Sequence, residues 1–239
     1  MKIVISQPMY FPWVGMFEQI ALADAYVHYS DVQFSKGSFS NRVQIKTVTG
    51  SKWLTIPLGE FKFGQLINQV LINNQSDWRE KHLRLLTENY HQSPYFNDMM
   101  NIVNAVLTND HKTISEISEA SIASVCDYYQ LNLQCKFLHS SKINKTSSGS
   151  KRVLEIVREI GGTEYITGHG ARNYLDHPSF EQEGIKISYM NYMKKPYKQL
   201  HGTFTPFVTI LDLIANLGPE GRSFICSGTV SWKDFLANE

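Results

Sequence analysis

Ile3-Val4-Ile5-Ser6-Gln7-Pro8-Met9-Tyr10-Phe11-Pro12-Trp13-Val14-Gly15-Met16-Phe17 decides how the rest of the chain is read. Three branched apolar residues in a row make a short buried strand. Gln7-Pro8 ends it, because proline has no N–H to give a neighbouring strand and fixes φ. Beyond Pro12, Trp13, Phe17 and Ile20 recur at i, i+4 and i+7, one face of a helix. A strand emptying through a stiff polar turn into a helix is how α/β proteins bring polar groups to a small ligand. Gly15 inside that helix costs about 1 kcal/mol against alanine, unless something must approach its backbone closely. A rigid corner plugged by aromatic side chains explains the same letters.

Moving outward, residues 25–72 are β-rich. Ala25-Tyr26-Val27-His28-Tyr29 and Val32-Gln33-Phe34 read as strands, as do Val43-Gln44-Ile45 and Trp53-Leu54-Thr55-Ile56, with turns at Lys36-Gly37-Ser38 and Thr49-Gly50. Val70-Leu71-Ile72 closes this region, an antiparallel excursion from the main sheet. The period then changes. Leu83, Leu86 and Tyr90 mark a helix capped at Ser76 or Asp77; Phe96, Met100, Val103 and Leu107 mark a second, and Ile114, Ile117, Val125 and Tyr128 a third.

After this helical insert the chain alternates. Strands are expected at 134–138, 165–167 and 185–189, with a helix through Val153, Ile156, Val157 and Ile160 that stops at Gly161-Gly162. A last helix should start at Thr205-Pro206, carry Phe207, Ile210, Leu211 and Ile214 on one face, and end at Gly218-Pro219. Residues 143–151 read as a short Ser-rich loop. The fold class is α/β: a mostly parallel Rossmann-like sheet with an antiparallel β excursion and a helical insert. One α/β domain over 1–239 is expected, with the excursion at about 30–72 and the insert at about 76–130.

Composition excludes several classes. With 239 residues, 42% hydrophobic, the chain can bury a sizeable core. A formal charge of +1, with no long run of either sign, gives no nucleic-acid footprint. No stretch approaches the roughly 20 apolar residues of a membrane span. Three scattered cysteines, Cys126, Cys135 and Cys226, and the direct entry of Met1-Lys2-Ile3 into a strand lead us to expect reduced thiols and a cytoplasmic protein.

Ligands of open parallel sheets bind beyond the carboxyl ends of the strands. Gln7, Ser140-Ser141-Lys142 and Thr167-Gly168-His169-Gly170 occupy such ends and should converge on one crevice. His169, between two glycines, is the best acid/base candidate by position. Ser148, Gly149 and Lys151 precede or open a helix, where free N–H groups and a cation suit a phosphate; a plain serine cap explains them equally. This is not a P-loop, since the required upstream glycine is missing. Asp31 and Gln33 share one face of the expected hairpin, and Arg42, Gln44 and Lys46 another, with Asn41 beside them. A carboxylate facing an arginine could act as a base or orient a substrate, or both could belong to a surface charge ladder. Tyr192, Tyr197, Gln199 and His201 form a second polar-aromatic stretch. Asp212 lies on an apolar helix, either on its flank or buried with a partner. No HExxH, paired-cysteine, GxSxG or GxGxxG pattern occurs, so no metal site is expected.

Gln7-Pro8-x-Tyr10-x-Pro12-Trp13-x-Gly15-x-Phe17, Ala23-Asp24, Asp31-x-Gln33-Phe34, Asn41-Arg42 and Trp53-Leu54-x-Ile56-Pro57 together resemble the WbqC-like family. Trp78-x-x-Lys81-His82, Tyr90, Ser140-Ser141, Tyr165-x-x-Gly168, Tyr174-Leu175, Tyr197-x-Gln199 and Phe204-x-Pro206-x-x-x-Ile210-Leu211-Asp212-Leu213 extend the likeness over nearly the whole chain. Met16 stands where an aromatic residue is usual, and His169 is untypical at its site, which weakens its positional case.

The resemblance implies a cytoplasmic protein of bacterial O-antigen (lipopolysaccharide) pathways. Such a protein would be a transferase making an amide, by acyl or aminoacyl transfer, on a nucleotide-linked amino or uronic sugar. The donor would be an acyl-CoA thioester or an acid activated by ATP. The alternative is a non-catalytic protein that binds nucleotide sugars or serves as a scaffold. Asp31 would be the base, with Arg42 and Ser141 stabilising charge. Trp13 and Tyr10 would stack on base or sugar, and Gln7 would hydrogen-bond. Gly15, Asn41, Ser140, Gly168, Tyr174, Tyr197 and Gln199 complete the expected substrate contacts. The expected partner is a nucleotide sugar, without nucleic acid or membrane insertion; homo-oligomer formation is left open.

Overall fold

A computed structural model describes residues 1–143 and 146–238. In chain order the elements are β1 (Lys2–Ser6), α1 (Val14–Leu22), β2 (Ala25–His28), β3 (Arg42–Thr47), β4 (Gly50–Thr55), α2 (Trp78–Tyr90), α3 (Phe96–Leu107) and α4 (Ile114–Tyr128). They continue with β5 (Lys136–His139), α5 (Gly149–Glu159), β6 (Glu164–Thr167), α6 (His177–Gln182), β7 (Lys186–Asn191), α7 (Ile210–Leu217), β8 (Gly228–Ser231) and α8 (Trp232–Ala237).

Six strands form one sheet in the order β5-β2-β1-β6-β7-β8. All neighbours are parallel except β7 and β8. The chain starts at the centre, builds outward to one edge through β2 and β5, and returns beside β1 to build the other half. That is a doubly wound sheet, and its direction of winding reverses between β1 and β6. The expected Rossmann-like class is therefore what the chain adopts, with β3 and β4 pairing as a separate antiparallel hairpin.

Alternation along β1 sends Val4 into one core and Ile3 and Ile5 into the other. The first core contains residues of α1, the hairpin, the inserted α2–α4 and α7; the second contains residues of α5, α6 and α8. Strand residues such as Tyr26, Val27, Ile166 and Ile187 are fully or almost fully buried, as a central parallel sheet requires. The weakly patterned α4 starts cleanly because Thr113 and Glu116 reciprocally cap its first turn, each side chain accepting the other's N–H at 3.2 Å.

Several local expectations are corrected. The helix expected from Thr205-Pro206 starts at Ile210, because the preceding segment is tied down elsewhere. Thr209 bridges to Trp13, its N–H donates to the Gln44 carbonyl at 2.8 Å, and its hydroxyl accepts from the Leu211 N–H at 3.3 Å. Residues around Gln33, Ile72 and Leu71 make isolated bridges rather than strands. Of the expected Ser-rich loop 143–151, Gly149 to Lys151 form the first turn of α5, and Asn144 and Lys145 lie outside the described residues. Among the described residues no helix is long and apolar enough to cross a membrane.

Candidate functional site

Where the winding reverses, the carboxyl ends of β1 and β6 lie side by side above a cavity of about 670 Å³. Ser6, Gln7 and Trp13 line it from the β1 exit, Gln19 from α1 and Tyr29 from the β2 exit. Gly149 and Val153 come from α5, Thr167 to Ala171 and Tyr174 from the β6 exit, and Tyr192, Lys194 and Phe207 from the chain after β7. Five aromatic rings, two glutamines and an imidazole therefore share one space. Among the described residues Lys194 is the single full cation of this lining, and no carboxylate contributes to it. The volume suits a small organic ligand.

The β1 exit is rigid for identifiable reasons. Phe11 is buried in the left-handed region at φ 39°, an uncommon conformation for a bulky residue. Two bonds hold it there: its N–H donates to Ser121 Oγ at 2.9 Å and its carbonyl accepts from Thr209 Oγ1 at 2.7 Å. The Pro12 carbonyl accepts from the Ile210 N–H at 2.8 Å. So α4 and the start of α7 clamp the turn from outside. Trp13 then folds its indole back over Gly15, where a Cβ would lie within 3 Å of three ring atoms. The indole packs on Tyr192 at 4.9 Å and Phe207 at 5.7 Å between ring centroids.

Opposite, Gln19 Nε2 donates to Tyr192 Oη at 2.9 Å, and a Cβ on Gly168 would sit 3.1 Å from that oxygen. Burial raises the Tyr192 pKa above the usual phenol value, so it remains a neutral hydroxyl. His169 Nε2 is 2.7 Å from the Met190 carbonyl. A carbonyl only accepts, so Nε2 carries a proton, and in the neutral tautomer this leaves the lone pair on Nδ1. The imidazole is flanked by Tyr192 and Phe235, at 5.3 and 4.9 Å between centroids.

Of the residues singled out from the sequence, Gln7, Trp13, Gly149, Thr167 to Gly170, Tyr174 and Tyr192 line this cavity. Gly15 is behind the indole rather than open to a ligand, Ser148 is the N-cap of α5, and Lys151 is an exposed residue of its first turn. The others meet different partners. Tyr10 is buried, its hydroxyl 3.1 Å from His82 Nδ1, while His82 Nε2 reaches the Thr55 carbonyl at 3.2 Å. Burial lowers the His82 pKa to about 4, leaving it a neutral bridge between α2 and the hairpin. Asn41 clamps Ile56, donating to its carbonyl at 3.0 Å through Nδ2 and accepting its N–H at 2.8 Å.

The expected facing pair of Asp31 and Arg42 does not form. Arg42 donates to the Gly37 carbonyl and stacks over Trp53. Asp31 instead binds the Arg152 guanidinium and the Ser140 hydroxyl, whose oxygen also lies 3.0 Å from the His28 carbonyl, the two acceptors sharing one proton. This knot ties the ends of β2 and β5 to α5. Ser140 is fully buried within it, whereas Ser141 is exposed and outside the cavity lining. The three sites expected to share one crevice thus separate: Gln7 and Gly168 meet at the winding reversal, and Ser141 stands beyond β5 at the sheet edge.

Tyr197 and Gln199 are likewise drawn inward. Asp212, 1% exposed, accepts from Tyr197 Oη at 2.8 Å and Tyr90 Oη at 3.0 Å. Gln199 joins Tyr197 to Lys46, whose ammonium donates to Gln199 Oε1 at 2.6 Å. Burial raises the Asp212 pKa, opposed first by the two tyrosine hydroxyls. The expected face of Arg42, Gln44 and Lys46 therefore ends in a buried polar network.

Sequence reading missed Gln19, Tyr29, Lys194 and Phe207 as lining residues. Gln19 offered one signal, a polar side chain beside the apolar stripe of α1. Among the described residues no group of three or more His, Cys, Asp or Glu is placed to hold a metal ion.

The profile of the WbqC-like protein family matches residues 7–224. An uncharacterized protein of Mycobacterium tuberculosis (strain ATCC 25618 / H37Rv), Rv1507c, is 31% identical over 227 residues, 94% of this chain and 97% of its own length. No solved structure matches the chain.

Proposed function

The chain belongs to the WbqC-like protein family, and from that premise and the cavity lining we propose an amide-forming transferase acting on nucleotide-linked sugars. The acceptor is an amino or uronic sugar carried on a nucleotide, and the pathway is O-antigen or another bacterial surface polysaccharide. One observation supports this most: among the described residues five aromatic rings, one cation and an imidazole held through Nε2 line a single cavity at the winding reversal. Aromatic faces suit a nucleobase or sugar ring, and a lysine without a carboxylate beside it in the lining suits phosphate.

The start of α5 strengthens the phosphate reading. Gly149, at φ 57°, opens its first turn against the cavity, where unpaired N–H groups and the helix dipole favour an anion. Ser148 and Lys151 flank that turn. With a thioester donor and an amino sugar, the sugar nitrogen attacks the carbonyl carbon and a C–N bond forms as the C–S bond breaks. The amine proton passes to His169 Nδ1 and on to the leaving thiolate. An acid activated by ATP would enter the same sequence with phosphate leaving instead; a uronic sugar would be that acid, its activated carboxyl taking the amine of an amino acid. Asp31 is not assigned as base, because Arg152 and Ser140 already engage its carboxylate.

The test incubates the purified protein with a UDP-linked amino sugar and either acyl-CoA or an acid with ATP, and with a UDP-linked uronic sugar, an amino acid and ATP, reading product mass. A mass gain lost in His169→Ala is expected. In parallel, a UDP-sugar at 100 times its dissociation constant should stabilise the fold by about 2.7 kcal/mol. Stabilisation without any mass gain would replace the transferase by a binding protein; neither effect would remove the ligand class as well.

A further inference from the structure

Residues 228–237 lie beyond the family-matched segment, yet they reach the cavity's imidazole. β8 pairs antiparallel with β7 and delivers the chain into α8. That short helix is fastened to α6: Trp232 Nε1 donates to Glu181 Oε1 at 3.1 Å, Lys233 pairs with the same oxygen at 2.9 Å, and the Trp232 ring stacks on His177. Phe235, 8% exposed, then lies parallel on Tyr189 at 4.1 Å and against the His169 ring at 4.9 Å. Tyr189 is itself fixed by His177 Nε2, 2.8 Å from its hydroxyl.

We propose that Phe235 is the positioning residue for His169. Its ring closes one side of the imidazole while Tyr192 flanks it and the Met190 carbonyl holds Nε2–H. The imidazole is otherwise an exposed loop side chain, free to rotate about its own bonds. With Phe235 in place, the ring keeps Nε2 on β7 and presents Nδ1 as the nitrogen left for a ligand. Phe235 touches no ligand itself; it acts through His169. The inference rests on reading this cavity as the site, but its test needs neither substrate nor turnover.

The experiment is NMR on the ligand-free full chain, following the imidazole Nε2–H proton of His169, assigned by its loss in His169→Gln. A proton held on a carbonyl exchanges slowly with water. In Phe235→Ala its exchange should quicken about tenfold or more, with a smaller effect in Phe235→Leu, which keeps bulk but loses the flat face. Leu236→Ala, on the exposed side of the same helix, should leave it unchanged. Circular dichroism checks that each variant is folded; if the alanine variant is not, the leucine variant carries the test. Unchanged exchange in a folded Phe235 variant overturns the proposal, as does an equal effect of Leu236→Ala. Failure of the transferase assay with the expected NMR result would reject the reaction and leave the positioning role standing.

Discussion

Alanine is normally the better residue inside a helix, so Gly15→Ala should stabilise α1 by about 1 kcal/mol if nothing else intervened. The structure reverses that sign. A Cβ at position 15 lies inside 3 Å of three atoms of the Trp13 indole; even the most distant, at 2.8 Å, falls short of the 3.4 Å where ordinary contact begins. The ring must retreat by more than half an ångström, and Tyr192 and Phe207 pack against it. Overpacking of this kind costs roughly 1–3 kcal/mol, which leaves a net loss of about 1 kcal/mol. For a chain of this size that lowers the melting temperature by about 2–4 °C. A double-mutant cycle isolates the cause. In a Trp13→Ala background the obstruction is gone, so Gly15→Ala should become stabilising by about 1 kcal/mol, a coupling of about 2 kcal/mol against an additivity error of about 0.5. Urea unfolding of the four proteins reads all the terms. Stabilisation in the native background, or the same loss with and without the indole, would refute the packing argument.

Coupling between Asp31 and Arg152 should exceed about 1 kcal/mol in a similar cycle, because both side chains are mostly buried and either one alone is left uncompensated. The cycle of Asp31 with Arg42 should show none, and a measurable term there would contradict the observed pairing. Burial, with His139 adding to it at His28, lowers the pKa of both His28 and His82 to about 4. The folded imidazoles stay neutral while the unfolded chain takes up protons below its ordinary value of 6.5. Stability is therefore complete above that value and falls as pH drops towards 4, by roughly 3 kcal/mol for each histidine. Urea midpoints across this range should fall less steeply in His82→Gln and in His28→Gln; an unaltered slope in both would refute the linkage. Lys194→Met should weaken a UDP-sugar about tenfold and flatten the salt dependence of its binding, by titration calorimetry, whereas equal affinity would take Lys194 out of the site.

How far the sequence could be read follows from what each feature depends on. The helices over 78–90, 96–107 and 114–128 were legible because their apolar spacing is a local property, and β1 because three branched residues can do little else. The short α6, β8 and α8 carry no comparable period and went unread. Thr205-Pro206 has the letters of a helix start, but Thr205 is bonded to Gln199 and Thr209 to Trp13, Gln44 and Phe11, so tertiary bonds override the local signal. The site was half legible. A polar residue after a strand suggested Gln7 and Gly168, but alternation could not tell that Tyr197 and Gln199 turn into the core around Asp212. Nor could spacing reveal that the cation of Asp31 lies 121 positions away on α5.

The replacement of glycines by prolines in the first strand-to-helix turn has a consequence for how a ligand would lie. Doubly wound folds usually keep that turn glycine-rich, so that a diphosphate can reach the exposed helix start. Here Pro8, Pro12 and Trp13 stiffen the turn, and the one nearby glycine serves the indole. The cavity keeps its place at the winding reversal, because the sheet order alone creates it, but its polarity is exchanged. The face at α1 is aromatic, and the open helix start comes from α5 across the cavity at Gly149. Lys194 stands over the Phe207 ring on the aromatic side, so the cation and the open start of α5 face one another across the cavity and offer an anion two places to bind.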